Sequence, residues 1–267
     1  MTITGATRLF AIIGDPVAPL RSPALFNAAF ARLGRDAAFV AFQFPQGTIE
    51  AAWPALQAMT NLDGIVVTMP HKRAVVPLLA ALGPAARLTG TVNTIRRRAD
   101  GALEGDMFDG EGFRSGLERA GHAVHGARIL QIGCGAAGTA IACALARAGA
   151  AEIALHDAEA SRAAALAVLV GANFPETRAA PAPPDPRGFG IVVNATPLGL
   201  AAGDPLPLDP TLLVPGQVVA DVIPNPEVTP LVAAARAKGC PTTTGRDMHE
   251  GQARLAAAYL GIRGWEG

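Results

Sequence analysis

Cysteine is scarce in this sequence, and its distribution argues against two kinds of stabilising site. The 267 residues contain three cysteines, Cys134, Cys143 and Cys240, with no C-x-x-C spacing. The histidines have no metal-ligand spacing to one another either. We therefore expect no disulfide framework and no metal site, which is typical of a protein from a reducing compartment.

An excess of charge of either sign is also missing. Lysine and arginine together number 22, as do aspartate and glutamate, so the formal net charge is zero. The longest basic run is the three arginines at 96–98, beside a predicted hairpin turn at Asp100 and Gly101. We interpret that triplet as a solvated face, and we expect no nucleic-acid partner and no acidic membrane surface.

The sequence has no uninterrupted apolar segment long enough for a signal peptide or a membrane span. The apolar patch at residues 9–13 ends at Gly14 and Asp15, and it is too short for the hydrophobic region of a signal peptide. Residues 129–146 are uncharged and as long as a marginal membrane span, but a glycine turn interrupts them. The sequence predicts a soluble cytoplasmic protein without a membrane partner.

Half of the residues are hydrophobic, and strand-length apolar runs alternate with helical segments. This alternation predicts an α/β fold, in which helices cover parallel sheets. We expect two α/β domains with a cleft between them: an N-terminal substrate-binding and catalytic domain (1–107) and a Rossmann-type dinucleotide-binding domain (108–245). The final helix, about 246–263, is expected to pack back toward the first domain. No internal repeat is visible in the sequence.

The individual elements follow from periodicity and from helix-capping residues. Ser22 and Pro23 are predicted to cap a helix, and Pro54 to kink or split another. Strands are predicted at 8–14, 38–44, 63–68, 91–97, 102–105, 152–156, 191–194, 218–222 and near 240–243. Helices are predicted at 24–33, 46–59, 70–82, 109–120, 139–148 and 248–261.

A strand, a tight turn and a helix follow one another at residues 128–139, with G-x-G-x-x-G spacing in the turn. Gly133 allows the sharp turn, Gly135 lets a pyrophosphate approach the backbone, and Gly138 lets the helix pack against the strand. The helix N-terminus, which includes Ala136 and Ala137, presents free N–H groups to the phosphates. The turn predicts a dinucleotide site; the alternative is a glycine-rich turn in an ordinary α/β domain.

An acidic residue follows the next strand. The strand at 152–156 ends at Asp157, about 20 residues after the glycines, where a carboxylate would accept hydrogen bonds from the ribose of NAD. The same carboxylate would repel the additional phosphate of NADP. We therefore expect NAD as the cofactor, with NADP disfavoured.

A lysine lies where chemistry is expected in the first domain. Lys72 follows Thr68 at the carboxyl end of a buried strand, at a predicted helix start, where the helix dipole disfavours a cation. Asp109, at another helix start, is a candidate partner, although a simple N-cap is an equally common use of aspartate. His71 could compete for the acid/base function, and a surface lysine pointing away is the alternative for Lys72.

Six segments, taken in order, resemble the shikimate/quinate dehydrogenase family. They are Ile12-Ile-Gly-Asp-Pro16 with Ser22-Pro23, Val67-Thr68-Met-Pro-His-Lys72, Val92-Asn93-Thr94, Gly105-Asp106-x-x-Asp109-Gly110, Asn194-Ala-Thr-Pro197 and Gly245-x-x-Met248-x-x-x-Gln252. The resemblance implies hydride transfer between a nicotinamide and a ring hydroxyl or ketone of a cyclic hydroxy acid, as in aromatic amino acid biosynthesis. We expect the protein to be a monomer or homodimer.

The resemblance further implies a function for each matching residue. Lys72 would be the acid/base group and Asp109 would hold and polarise it. The substrate-binding residues would be Ser22, Thr68, Asn93 and Gln252. Beside the glycine turn and Asp157, the cofactor would meet Asn194, Thr196, Pro197 and Met248.

Several positions depart from the family pattern, and each departure removes a polar group. The first serine of S-x-S is Leu20, the asparagine before the strand-end threonine is Val66, and the N-T of G-D-N-T-D-G is Met107-Phe108. Pro224 stands where D-x-x-Y has its tyrosine. A partner lost from a buried hydroxyl or carboxylate costs about 1–3 kcal/mol, so the reaction type transfers better than the substrate. Arg21 is a candidate to bind the substrate carboxylate bidentately.

Two other functions are compatible with parts of the pattern. A methyltransferase that uses S-adenosylmethionine also has a glycine turn and an acid after the next strand, but the third glycine and Lys72 argue against it. A non-catalytic descendant that binds a dinucleotide and a metabolite would explain the altered pocket. Retention of Lys72 and Asp109 argues against that alternative.

Overall fold

A computed structural model describes residues 2–265 of the chain, which form two compact units. The first unit comprises the residues up to Phe108 together with those from Ala253 onward, and the second runs from Asp109 to Gln252. Each unit contains one six-stranded sheet with helices packed on it. The predicted α/β fold class is confirmed.

The sheet of the first unit is mixed, with the strand order β2-β1-β3-β5-β6-β4. Its strands are β1 (Arg8–Gly14), β2 (Ala37–Gln43), β3 (Leu62–Val67), β4 (Ala81–Leu82), β5 (Thr94–Arg97) and β6 (Leu103–Asp106). Its helices are α1 (Ser22–Arg32), α2 (Ile49–Ala58) and α3 (Pro84–Thr89), with a 3₁₀ turn at Val76–Leu78. β1 pairs in parallel with β2 and β3, whereas β5 pairs antiparallel with β3 and β6. The strand β3, which is apolar apart from Asp63, lies inside the sheet between β1 and β5.

Both faces of this first sheet are covered by apolar side chains. One face carries a phenylalanine cluster of Phe10, Phe26, Phe30 and Phe39, which residues from the end of the chain complete. The other face packs against α2 through buried side chains that include Trp53. Burial on both faces explains why β1 and β3 read as nearly continuous hydrophobic runs.

The sheet of the second unit is entirely parallel, with the strand order β12-β11-β10-β7-β8-β9. Its strands are β7 (Arg128–Ile132), β8 (Glu152–His156), β9 (Arg178–Pro181), β10 (Ile191–Asn194), β11 (Val218–Asp221) and β12 (Thr242–Thr243). Its helices are α4 (Asp109–Arg119), α5 (Ala136–Arg147), α6 (Ala160–Asn173), α7 (Pro230–Ala237) and the first half of α8 (Gly245–Tyr259), with a 3₁₀ turn at Pro210–Leu212. The strand order reverses between β7 and β10, and ligands of such sheets bind at the carboxyl ends of the strands that flank this reversal.

The helix predicted at 70–82 is wrong. The chain there makes turns, then the 3₁₀ turn at Val76–Leu78, and then the short strand β4. Pro77 accounts for the difference, because a proline inside a helix lacks the donor and clashes with the preceding turn. The helix α3, which starts at Pro84, lies in a region where no element had been predicted.

The predicted cap of α1 is also wrong. Ser22 is the first helical residue and Arg21 occupies the N-cap position without a side-chain capping bond. Ser22 is buried instead. Pro54 lies inside α2, which runs unbroken from Ile49 to Ala58.

The arginine triplet forms a solvated face only in part. The hairpin beside it is confirmed, because β5 and β6 are antiparallel neighbours. Arg98 is exposed, but the Arg97 guanidinium donates hydrogen bonds to backbone carbonyls of four residues, Leu56, Gln57, Leu62 and Gly101. Arg96 binds Glu104 and lies 4.3 Å from the Tyr259 ring centroid. Two of the three cations therefore stabilise the unit.

Gly110 allows α4 and α5 to pack with their backbones in contact, since a Cβ there would lie 2.1 Å from the Ala140 carbonyl oxygen. We expect Gly110→Ala to lower the free energy of unfolding by about 2 kcal/mol or more, because only a backbone shift can relieve that clash. Urea unfolding measures the change.

Gly171→Ala is the matched control, because Gly171 lies in α6 and a Cβ there would meet no atom within 4 Å. This substitution should raise stability by about 0.5–1 kcal/mol through helix propensity. Equal effects of the two substitutions would contradict the packing explanation.

Candidate active site

Thr68 lies at the carboxyl edge of the first sheet, where the ends of β1 and β3 are tied together. The Thr68 amide donates to the Ile13 carbonyl at 2.9 Å, and the Asp15 amide donates to the Met69 carbonyl at 2.9 Å. These bonds extend the pairing of the two strands into the loops that follow them. Thr68 is thereby fixed beside the loop that follows β1.

Backbone hydrogen bonds bring Lys72 and Asn93 to the same edge. The Val92 amide donates to the Lys72 carbonyl at 2.8 Å, and the Val67 amide donates to the Asn93 carbonyl at 2.7 Å. The segment before β5 therefore lies alongside the segment after β3. Residues that are more than 20 positions apart in sequence become neighbours in the first unit.

The Asn93 side chain is fully buried and its orientation is fixed. Its Oδ1 atom accepts hydrogen bonds from the Phe108 amide at 3.0 Å and from the Thr94 hydroxyl at 3.1 Å. Its backbone amide donates to the Asp106 carbonyl at 3.1 Å. Asn93 thus connects the β3 end with the loop that follows β6.

The structure gives His71 a structural position and leaves Lys72 as the candidate acid/base group. His71 is 1% exposed, and its Nε2 atom lies 2.7 Å from the Phe44 carbonyl oxygen, which requires the proton on Nε2. Lys72 itself is half-buried in a turn and not at a helix N-terminus. The dipole argument for Lys72 is therefore wrong, although its position at the strand end is as expected.

The apolar residues that replace family polar groups are partly absorbed into the core of the first unit. Leu20 and Val66 pack with the phenylalanine cluster, and Met107 is 2% exposed. The Phe108 ring lies 5.2 Å from the Tyr259 ring. Arg21 is exposed at the N-cap of α1. The carboxylate-binding contact expected of Arg21 remains a prediction.

The glycine turn after β7 has the geometry that the sequence predicts. Gly133 has φ +104°, in the region that favours glycine, and a Cβ there would lie 2.6 Å from the Ala195 carbonyl. A Cβ on Gly138 would lie 2.1 Å from the Gly133 oxygen. The turn therefore closes tightly against itself and against the loop after β10.

The residues at the start of α5 fit a dinucleotide. Gly135 is the N-cap, and a Cβ there would meet no atom within 4 Å, so the backbone is open on that side. The Thr139 amide makes a bond to the Gly135 carbonyl, while the amides of Ala136, Ala137 and Gly138 precede the first helical bond. Three amides at the N-terminus of a 12-residue helix form a cradle for a pyrophosphate.

Asp157 is held at the carboxyl end of β8 by two backbone amides. Its Oδ2 atom accepts from the Cys134 amide at 2.7 Å and its Oδ1 atom from the Glu159 amide at 2.9 Å. The Glu159 carboxylate in turn binds Arg162 at 2.8 Å and the Ser161 hydroxyl at 2.8 Å. The second strand therefore ends in two carboxylates, and the neighbouring cation is paired with one of them.

Asn194, expected to contact the cofactor, is a fully buried connector in the structure. Its Nδ2 atom donates to the Leu198 carbonyl at 3.1 Å and to both Asp221 carboxylate oxygens at 3.2 Å. Its Oδ1 atom accepts from the amide and the hydroxyl of Thr196. Asn194 thus shapes the loop that presents half-buried Thr196 and exposed Pro197, and burial raises the pKa of Asp221.

The remaining predicted residues lie on α4 and α8. Asp109 is the first residue of α4 and is 1% exposed. One turn further on, a Cβ at Gly112 would lie 2.6 Å from the Gln252 amide nitrogen, so α4 and α8 meet at this point. Met248 is 8% exposed within the core of the second unit. The Met248 side chain is therefore not exposed at the surface, and its contact with the cofactor stays a prediction.

The three cysteines are buried and unpaired with one another. Burial raises the pKa of the Cys134 thiol to about 12 and that of Cys143 to about 11. Among residues 2–265, no group of three or more histidine, cysteine, aspartate or glutamate side chains is placed to hold a metal ion. In the same range, no helix has the length and apolar character needed to cross a bilayer.

A parallel sheet with a glycine cradle and an acid after the second strand defines a dinucleotide-binding unit. The same chain also contains a unit with a lysine at a strand end. The two features together indicate a nicotinamide-dependent oxidoreductase. Comparison with known proteins narrows this class. Residues 12–95 match the family model of the shikimate dehydrogenase substrate binding domain.

Curated relatives and solved structures agree with that match. A shikimate dehydrogenase (NADP(+)) from Rubrobacter xylanophilus is 38% identical over 275 residues, covering 99% of this chain and 93% of that protein. A shikimate 5-dehydrogenase from Listeria monocytogenes, solved with shikimate and NAD, is 31% identical, with a TM-score of 0.87 over 98% of this chain and 93% of that one. The 5-ketofructose reductase of a Gluconobacter strain is 31% identical, with a TM-score of 0.84 over 95% and 92%.

This chain belongs to the shikimate dehydrogenase family. It is a shikimate dehydrogenase-like oxidoreductase that acts on a CH–OH group and depends on NAD(P). The assignment takes the place of the methyltransferase alternative. The structure adds two residues near the glycine turn that the sequence analysis did not identify, Gln131 and Glu159. In the sequence, Gln131 could have been noticed as a polar residue among the apolar residues of a predicted strand.

The connector at Asn194 can be tested by Asn194→Asp, which sets a carboxylate against buried Asp221. We expect the free energy of unfolding to fall by about 3–5 kcal/mol at pH 7, the magnitude for an uncompensated buried charge. Like charge raises the pKa of the carboxylate pair in the folded state. The folded state then binds the extra proton, so the deficit should shrink as the pH falls from 7 to 5.

Urea unfolding at several pH values measures this deficit. Asn173→Asp is the control, because Asn173 is exposed and its side chain bonds only locally, to the Leu169 carbonyl at 2.9 Å. A deficit that does not depend on pH would contradict the carboxylate-pair explanation.

Proposed function

We propose that this protein is an NAD(H)-preferring dehydrogenase of a cyclic hydroxy acid, in which Lys72 is the acid/base group and Asp109 supports it. The observation that carries the cofactor assignment is the acidic end of β8, formed by Asp157 and Glu159. The bound dinucleotide supplies or accepts the hydride. The residues of the chain supply binding, orientation and the separate movement of the alcohol proton.

The two carboxylates at the end of β8 support NAD rather than NADP. Asp157 is oriented by the amides of Cys134 and Glu159, so an acceptor for ribose hydroxyls is already in place. An arginine near this position would otherwise attract a 2′-phosphate. Here Arg162 is paired with Glu159. Relatives use both cofactors, since the R. xylanophilus protein is named for NADP(+) and the L. monocytogenes protein was solved with NAD.

Lys72 supports proton transfer because it lies at a strand end next to polar residues that could hold a substrate hydroxyl. Thr68 and Asn93 share the same sheet edge through the backbone bonds described above. Oxidation of an alcohol releases a hydride and a proton, and the proton needs a positioned acceptor. His71, the competing group, is occupied by the Phe44 carbonyl.

The substrate class follows from the family and from the altered positions around Ser22. A shikimate- or quinate-like ring acid is the first candidate, with Ser22, Thr68, Asn93 and Gln252 as binding residues. An uncharged polyhydroxy ketone is the second, because Leu20 replaces a serine and the Gluconobacter relative reduces 5-ketofructose. A substrate without a carboxylate does not need the missing serine, so its binding is weakened less by the change to Leu20.

A spectrophotometric screen tests cofactor and substrate together, with NAD and NADP each set against shikimate, quinate, their dehydro and amino analogues, hydroxycyclohexane carboxylates and 5-ketofructose. We expect kcat/KM with NAD to exceed that with NADP by about tenfold or more, the effect of about 1.4 kcal/mol of charge repulsion. Asp157→Asn with Glu159→Thr should shift the ratio toward NADP by about tenfold or more.

Glu176→Gln, at an exposed acid far from the cradle in sequence, should leave the cofactor ratio unchanged. A wild-type preference for NADP would contradict the proposal that Asp157 and Glu159 select NAD. If no substrate of the panel were turned over while NAD still bound, the result would favour the non-catalytic alternative.

For the substrate that the screen finds, Lys72→Met should lower kcat by about 10²–10⁴-fold, the usual contribution of a general acid/base. The dinucleotide Kd should change little, because the cradle lies in the second unit. Stopped-flow absorbance of the reduced nicotinamide measures the rate.

Lys238→Met is the control, since Lys238 is exposed and its Nζ atom donates to the Thr211 carbonyl at 2.8 Å on the surface of the second unit. Unchanged turnover in Lys72→Met would show that another group moves the proton.

A further inference from the structure

Gln131 is the one polar residue among the buried residues of β7. It lies in β7 between Leu130 and Ile132, and its side chain is completely buried. A buried carboxamide lowers stability unless its hydrogen bonds are made. The position therefore calls for an explanation in terms of its contacts.

The side-chain amide nitrogen of Gln131 makes hydrogen bonds to both ends of the glycine turn. Nε2 donates to the Gly133 carbonyl at 2.9 Å and to the Gly138 carbonyl at 2.9 Å. Both partners are acceptors, so these contacts assign the NH₂ end of the side chain. Gln131 thus links the first and the third glycine of the G-x-G-x-x-G turn.

One peptide group of the turn is gripped at both of its ends. Gln131 binds the carbonyl of Gly133, and Asp157 binds the amide of Cys134, which is the N–H of the same peptide plane. A rotation of that plane would break both bonds together. The position of the Asp157 carboxylate is therefore coupled to the Gln131 carboxamide through a single rigid group.

The other end of the Gln131 side chain is not satisfied. Its Oε1 atom is buried and has no hydrogen-bond partner among the described residues. An apolar residue of the same size would avoid this unsatisfied acceptor. A residue that stabilised only the strand would gain from that change, so the donors of the carboxamide are the feature to explain.

We propose that Gln131 is a positioning residue for the dinucleotide. It fixes the Gly133–Cys134 peptide, and through it the Asp157 carboxylate that faces the ribose, so that it sets both the affinity for NAD and the discrimination against NADP. The inference rests on the proposed NAD preference and adds a residue that touches neither cofactor nor substrate.

Gln131→Met tests the proposal because it keeps size and shape and removes the donors. We expect the Kd for NAD to rise about tenfold, the equivalent of about 1.4 kcal/mol, and the NAD-to-NADP ratio of kcat/KM to fall by about threefold or more. The kcat at saturating NAD should stay within about twofold of wild type. Fluorescence titration with NADH and NADPH gives the binding constants, and steady-state assays give the ratio.

Gln217 provides a matched control. It is buried in the same unit, and its Nε2 also donates to two backbone carbonyls, of Pro186 at 2.6 Å and of Phe189 at 2.7 Å. It immediately precedes β11, at the amino end of that strand and away from the cradle. Gln217→Met should lower the melting temperature and leave both the NAD Kd and the cofactor ratio unchanged.

Gln131→Glu is the second variant, and it keeps the test valid if the methionine variant does not fold. A carboxylate cannot donate to the two carbonyls, whereas the protonated acid can donate to one. Its NAD affinity relative to wild type should therefore recover as the pH falls from 8 to 5.5. An unchanged NAD Kd and cofactor ratio in both Gln131 variants would overturn the proposal. A wild-type preference for NADP would instead overturn the proposed function, together with the discrimination against NADP, and would leave the effect of Gln131 on the NAD Kd to be judged by the titrations.

Discussion

The hydrogen bond between the Cys134 amide and the Asp157 carboxylate organises the carboxyl edge of the second sheet. It joins the turn after β7 to the end of β8, and the Glu159 amide orients the other carboxylate oxygen. One side chain therefore connects two loops of the fold and, in the proposed function, also binds the ribose. In that proposal the cofactor choice depends on the shape of the turn, because the carboxylate cannot be moved without changing both.

The first sheet follows the same rule with different groups. Backbone amides connect the ends of β1 and β3 with the segment before β5, and Asn93 connects that segment with Phe108. In both units, candidate site residues such as Thr68 and Asp157 follow strands and take part in hydrogen bonds with the main chain.

The sequence predicted the strands well where buried runs are short and end in turn residues. β1, β8 and β10 have the predicted limits, since apolar residues there are bounded by glycine, aspartate or asparagine. The glycine turn was also predicted correctly, because the spacing of its glycines reflects the tight backbone geometry of the turn. The helix predicted at 70–82 is absent because Pro77 interrupts an otherwise apolar segment.

Partners that are distant in sequence account for what could not be predicted. The Arg97 guanidinium binds carbonyls up to 41 positions away, and His71 binds Phe44 across 27 positions. Asn194 matched a cofactor-loop pattern, yet its contacts are with Asp221 and its own loop. Local pattern identifies such residues as special without showing which group each one meets.

The chain crosses from the second unit back into the first near the middle of α8. Ala257, Leu260 and Ile262 belong to the phenylalanine cluster, and the Trp265 ring lies 4.6 Å from that of Phe26. A ribosome synthesises these residues only after the second unit. The second unit can therefore complete its core first, whereas the first unit must wait for the residues that follow Gln252, an exception to the usual order of co-translational folding.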